Sequence, residues 1–275
     1  MIALLSTAVA AAVAAPSSVS PSFHFMQIEQ VIAGVNGDTS AQAIELRMRF
    51  QFQCFFGNGA RLRVHDAAGA NPIILAQLDQ DLPGCATGDP VLIATRAFAI
   101  HTEPVVVPDF VIDTPIPESY FAAGSLTFED AAGTTVYWRL SWGGDGYTGD
   151  TTGAIINDAD GEFGPPWPGP LPTDGLQALQ FQGGTESTAN VDDYALTSGA
   201  AVFTNNACQR FRLGEPCPWD CGFFACQDLD NEVGIVDFLV LLALWGETDQ
   251  DCDFDGGGIG ITDLLELLAH WGPCG

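Results

Sequence analysis

The 275-residue chain carries 35 acidic side chains against 8 basic ones, all of them arginine, for a formal net charge of −27 at pH 7. The absence of lysine excludes a P-loop lysine, Schiff-base chemistry and any lysine nucleophile. So acidic a surface is repelled by phosphate backbones and anionic lipid headgroups, which argues against nucleic acid and membrane surfaces as partners.

Met1 to Ala15 is an apolar, alanine-rich run ending in small residues before Pro16. It has the form of a signal-peptide core with cleavage near Ala14 or Ala15, and falls short of the roughly 20 residues that span a bilayer. The usual positive n-region is missing, so the alternatives are a start further upstream or a buried apolar strand. The expectation is a signal peptide over 1–15 and a secreted chain, extracellular or at the cell surface, with no transmembrane segment when mature. An even cysteine count in an exported chain reads as a disulfide framework. Its candidates are Cys54, Cys85, Cys208, Cys217, Cys221, Cys226, Cys252 and Cys274, for which about 105 connectivities exist.

Over residues 16–206 the pattern is strand-like. From Ile44 to Cys54 eleven residues alternate, placing Ile44, Leu46, Met48, Phe50, Phe52 and Cys54 on one face and Glu45, Arg47, Arg49, Gln51 and Gln53 toward water. Val136, Trp138, Leu140 and Trp142 alternate likewise. Shorter candidates are 23–32, 61–65, 73–78, 91–100, 124–128, 176–182 and 194–203, separated by turn formers such as Gly57-Asn58-Gly59 and Gly88-Asp89-Pro90. This spacing predicts an antiparallel β-sandwich, Ig-like or jelly-roll. Between Gly143 and Gly175 glycine and proline are dense. There Asn157 to Glu162 offers closely spaced oxygen ligands for calcium, and Tyr147, Phe163 and Trp167 offer aromatic surface for sugar, against the plainer readings of turns and core.

Residues 207–216 read as a linker. Beyond it the period changes: Val233 to Gly246 recurs as Ile259 to Gly272 at an offset of 26 residues. Phe238, Leu241, Leu242 and Trp245 form one helical stripe, repeated by Leu264, Leu267, Leu268 and Trp271. Gly246 and Gly272 stand where a helix end needs a left-handed residue. Two such helices most simply bury their stripes against each other. An acidic loop precedes each helix: Asp228, Asp230 and Asp237 in the first, Asp253, Asp255 and Asp263 in the second. From residue 217 onward there are twelve acidic residues and no arginine. Crowded carboxylates repel unless a cation sits among them, and calcium takes six to eight oxygens at short range. The alternative is a solvated acidic surface with Asp237 and Asp263 favoured at helix N-termini by the dipole.

This tandem of acidic loop and leucine-rich helix resembles a dockerin. The run CPWDC…VGIVDFLVLLALWG…CDFDGGGIGITDLLELLAHWGPCG is similar to the GC-type dockerin-like modules that end many exported bacterial proteins. The resemblance covers 217–275 and implies a small all-α, EF-hand-like tandem repeat. It further implies calcium as cofactor and docking onto a cohesin-like or surface-sorting receptor through Ile235-Val236 and Ile261-Thr262. The sequence departs from the pattern at Cys226, where the first loop would open with aspartate, at Asn231, where glycine is usual, and in the second loop, which is one residue short. A fainter similarity, in Phe25 to Val31 followed by Ala43 to Arg47, is to the opening strands of lamin-tail immunoglobulin-like domains.

No G-x-S-x-G, H-E-x-x-H or G-x-G-x-x-G signature occurs, and no catalytic residue stands out. His65-Asp66 could be half of a base and orienter pair, with a surface pair the plainer reading. The resulting expectation is a mainly β, non-catalytic exported protein with a calcium-binding attachment module at its C-terminus. The rival is a carbohydrate-active enzyme or polysaccharide-binding module carried by a dockerin, using strand carboxylates with Trp138, Trp142 and Trp167.

Overall fold

The computed structural model describes residues 23–57, 59–184, 187–214, 232–248 and 252–273. The segment 1–15, Cys217, Cys221, Cys226, Cys274, Asp228 and Asp230 therefore lie outside the described residues. The strands are β1 Met26–Ile32, β2 Ala43–Met48, β3 Ala60–His65, β4 Ile73–Leu78, β5 Pro90–Ala94, β6 Thr102–Glu103, β7 Phe110–Val111, β8 Gly124–Asp130, β9 Val136–Trp142, β10 Leu179–Phe181, β11 Tyr194–Leu196, β12 Val202–Thr204, β13 Arg210–Leu213, β14 Glu232–Val233 and β15 Gly272–Pro273. The helices are α1 Asn190–Asp193, α2 Ile235–Ala243 and α3 Ile261–Ala269. The described chain is thus mainly β, and its strands pair antiparallel except for the parallel contact of β5 with β7.

A six-stranded sheet in the order β11-β10-β1-β2-β5-β7 faces a four-stranded sheet in the order β4-β3-β8-β9. Between them lies one core to which Ile28, Ile44 and Leu46 contribute from one side and Leu62, Phe128, Trp138 and Trp142 from the other. Alternation along β9 sends Trp138, Leu140 and Trp142 inward, and Trp138 Nε1 donates to Tyr194 Oη at 2.9 Å, so the indole's polar atom is satisfied inside the core. A third sheet, β12-β13-β6, covers the opposite face of the six-stranded one, where Leu92, Ala94, Phe98, Phe203 and Phe211 make a second core.

That third layer explains two departures from the sequence reading. Glu45, expected in water, is 2% exposed because β12 lies over it. Within the segment expected to be a linker, β13 occupies Arg210–Leu213 and pairs with β12 and β6. The long strand from Ile44 to Cys54 also ends early. β2 stops at Met48, Phe52 turns left-handed at φ 65°, and Phe50 and Phe52 are exposed. The chain leaves the sheet there to meet residues 82–89: Phe52 N donates to Cys85 O, Leu82 N donates to Cys54 O, and a disulfide joins Cys54 to Cys85. The 91–100 run splits into β5 and a 3-10 turn over Arg96–His101, and the 194–203 run into β11 and β12.

The C-terminal helices pack against each other over Val233, Leu241, Cys252, Ile259 and Leu267. Residues beside them are crossed in a two-fold manner. Val233 pairs with Gly272, just past α3, while Ile259 exchanges backbone bonds with Gly246 and Glu247, just past α2. Each repeat's approach to its helix is clasped by the other repeat's exit, at the same 26-residue offset. Gly246 and Gly272 have φ of 89° and 119°, the left-handed geometry anticipated for them. The stripes are not wholly buried, however. Leu241 and Leu267 are inside, Phe238 and Leu264 half-buried, and Leu242, Trp245, Leu268 and Trp271 exposed. Two nine-residue helices meeting at one crossing cannot cover more than one row of each.

Candidate calcium and docking site

Both helices begin with the same device. Asp237 Oδ2 accepts from Gly234 N at 2.6 Å and Asp263 Oδ2 from Gly260 N at 2.8 Å, so a buried carboxylate at the third helical position satisfies the N-cap amide. Asp263 does more: its Oδ1 also accepts from Phe254 N at 2.7 Å and more weakly from Asp255 N at 3.4 Å. It thereby ties the start of the loop to the start of the helix. Burial pushes its carboxyl up, but these amides outweigh that and hold it below the ordinary aspartate range. The helix-terminus role foreseen as the alternative for Asp237 and Asp263 is therefore real.

Around Asp263 the chain gathers Asp253 and Asp255, and one carboxylate oxygen from each of the three lies within 4.8 Å of the others. Asp253 Oδ2 accepts from Gly258 N at 2.9 Å and Asp255 Oδ1 from Gly257 N at 2.8 Å, leaving one oxygen of each outside those bonds. Asp253 Oδ1 is buried and has no hydrogen-bond partner. A buried carboxylate oxygen without a donor is costly, and three hard oxygens around it suit a hard divalent cation completed by water or backbone carbonyls. Asp253, Asp255 and Asp263 of the second loop could therefore hold a metal ion. Among the described members of the first loop, Asp237 is placed as a helix cap.

Ile235, Val236, Ile261 and Thr262, the residues marked for partner contact, are all exposed at the helix N-termini. They continue into a longer exposed surface: Leu239 and Leu242 on α2 with Trp245 just past it, Leu265 and Leu268 on α3 with Trp271 just past it. Leu242, Trp245, Leu268 and Trp271 belong to the stripes expected to be buried, and with Leu239 and Leu265 they are matched apolar residue for apolar residue by the 26-residue repeat. Cys252, a candidate for a bridge, is instead a free buried thiol packed among the apolar residues of the helix pair. Cys208 is disulfide-bonded.

In the sandwich, the residues considered for chemistry are committed elsewhere. Asp158 accepts from Thr188 Oγ1 at 2.7 Å, from Thr188 N, and from Asp160 and Gly161 N, so the 157–162 loop is closed by its own amides. Tyr147 and Phe163 are buried and Trp167 half-buried; Trp138 and Trp142 are core. Arg49 stacks over the Trp138 ring at 5.1 Å, and Arg139, 6% exposed, reaches Asp150 Oδ2 at 3.1 Å, so neither lies on a solvated face. Asp66 spends its carboxylate on the amides of Ala68 and Ala70 and on Asn71, giving His65 no acidic orienter. Burial, with Arg63 and Arg139 nearby, pushes the His65 imidazole down to about 4. Exposed aromatics do occur, but at Phe25, Phe50 and Phe52.

No family model, curated protein or solved structure matches the chain. Among the described residues, no helix is long and apolar enough to cross a membrane.

Proposed function

We propose that this protein is an exported attachment protein. Its C-terminal dockerin-like, EF-hand-like helix pair binds calcium through Asp253, Asp255 and Asp263 and docks onto a cohesin-like or surface-sorting receptor, carrying the Ig-like or jelly-roll β-sandwich as its cargo. The observation that carries this reading is the duplicated exposed face: Ile235 and Ile261, Leu239 and Leu265, Leu242 and Leu268, Trp245 and Trp271 are related by one offset and all open to solvent. Isolated exposed leucines are ordinary, but a matched row of large apolar side chains on each of two packed helices is what a docking surface requires. Calcium would neutralise the loop beside one end of that face and fix the approach to α3.

Surface plasmon resonance of the full chain over immobilised cohesin-type domains, with calcium and with chelator, tests the reading. Binding that requires calcium and is lost in the double variant Leu239→Asp/Leu265→Asp supports it. Binding unaffected by that variant would place the contact elsewhere.

A second reading, polysaccharide binding by the sandwich, draws on the exposed Phe25, Phe50 and Phe52, with Phe25 and Phe50 ring centroids 6.1 Å apart on the disulfide-braced ribbon. Retention of the chain by insoluble polysaccharides that disappears in Phe50→Ala/Phe52→Ala would favour it, and no retention would remove it.

A further inference from the structure

β12 is an edge strand, with β13 on one side and the central sheet against the other. Its free backbone groups are met by side chains rather than by another strand. Thr204 N donates to Glu45 Oε2 at 2.7 Å, and Gln30 Nε2 donates to Val202 O at 2.6 Å and to Glu45 Oε2 at 3.1 Å. The site is closed, with Glu45 and Gln30 2% and 3% exposed. Beside it a β-bulge between Ile28 and Gln30 inserts Glu29 into β1, and Arg47 Nε lies 3.2 Å from Glu29 Oε2. Two carboxylates thus share one neighbouring guanidinium, and Glu29 has it. Glu29 and Arg47 are the charged groups facing Glu45 from β1 and β2; Arg210 is the charged residue opposite Thr204 on β13.

We propose that Glu45 is held as a neutral carboxylic acid because the third sheet closes over it, so that its tendency to ionise works against the seating of β12 and β13. A buried carboxylate with no cation of its own is unfavourable, whereas a buried acid is tolerated once hydrogen-bonded. The bonding pattern asks for that proton. Gln30 Oε1 is buried with no hydrogen-bond partner, although its own Nε2 touches Glu45, and a hydroxyl on Glu45 supplies the missing donor in a reciprocal acid and amide pair. Burial pushes the Glu45 carboxyl up to about 8, against the opposing pull of Arg47 and of the Thr204 and Gln30 donors. The layer so controlled is the one through which the chain reaches Gly214 on its way to the helix pair. Rising pH would accordingly loosen the sandwich at that exit.

Carbon-13 titration of the Glu45 carboxyl in the full chain, with amide exchange of Thr204 followed over the same pH range, tests this. The expected result is a Glu45 midpoint of about 8, and a Thr204 protection factor that falls by up to about tenfold per pH unit between the ordinary value of 4.5 and that midpoint and levels off above it. In Glu45→Gln, Thr204 should stay protected across the range. A Glu45 carboxyl that titrates in the ordinary acid range, Thr204 protection that stays constant from pH 4.5 up to the Glu45 midpoint, or a folded Glu45→Gln protein with Thr204 unprotected would each overturn the proposal. Should the variant fail to fold, the wild-type titration alone decides.

Discussion

The β-rich region buries Trp138, Trp142, Phe128 and Phe163 completely in a core shared by two sheets and backed by a third, whereas the helix pair closes over Val233, Leu241, Cys252, Ile259 and Leu267. The first has enough apolar contact to hold itself together. The second is a unit of the size at which a single core supplies little net stability, and natural proteins of that size add disulfides, a metal or a partner. Its outward face points the same way: the sandwich hides nearly all its large aromatics, while the helix pair leaves eight large apolar side chains of its repeated face in water, counting Ile235, Leu239, Leu242, Trp245, Ile261, Leu265, Leu268 and Trp271. On the proposed reading the sandwich stands alone and the helix pair is completed by calcium and a receptor.

The strongest way to break that contrast is through the core. Trp138→Ala removes the indole that packs against Phe163 and Phe181 and bonds Tyr194, and should cost about 3–5 kcal/mol in denaturant unfolding of the sandwich. Helical circular dichroism from the C-terminal repeats should survive it. Loss of both signals together would show one cooperative unit. Next in size, replacing Cys54 and Cys85 by alanine opens a loop with sequence separation 31 and should lower sandwich stability by roughly 3 kcal/mol, read by the same unfolding experiment. Calcium at about 100 times its dissociation constant should stabilise the helix pair by about 2.7 kcal/mol, and chelation should leave the sandwich transition where it was.

Asp109 gives a smaller, pH-dependent effect. Its Oδ2 accepts from both Leu92 N and Asn206 N at 2.8 Å, and burial, opposed by those bonds, pushes its carboxyl from 3.8 up to about 6. A raised folded value means the contribution is fully present below the unfolded value of 3.8 and is lost as pH rises through about 6. Asp109→Asn keeps an oxygen for both bonds and cannot ionise. It should therefore match or exceed the wild type by about 1–2 kcal/mol at pH 7 and flatten the stability profile between pH 4 and 6. An unchanged profile would show that Asp109 does not control it. Smallest of all, Leu239→Ser on the exposed face should shift stability by no more than about 0.5 kcal/mol while weakening receptor binding.

How much of this was readable in the sequence depends on what each residue faces. β3 and β9 follow from alternation because one side of each meets the shared core. β2 misled because alternation continues past Met48 in composition while the backbone turns away at Phe52 to meet the Cys85 segment, a long-range pairing no local pattern encodes. Glu45 was placed in water because a period of two distinguishes two faces but not whether a third sheet covers the second. In the helix pair, the repeat was plain and the acidic loop with it. Which of two adjacent apolar rows turned inward was not, since Leu241 and Leu242 are equally apolar and only the crossing of α2 and α3 separates them.

The claim on which the account rests is that the C-terminal helix pair is completed by calcium at Asp253, Asp255 and Asp263. Isothermal calorimetry of the full oxidised chain with calcium, beside the variant Asp253→Asn, measures it directly. The account predicts saturable binding to the wild type with a gain of helical signal, and affinity at least about tenfold weaker in the variant, a loss of about 1.4 kcal/mol. No calcium heat from a chain whose helices are already formed would contradict it, and would reduce the three aspartates to a loop held by its own amides.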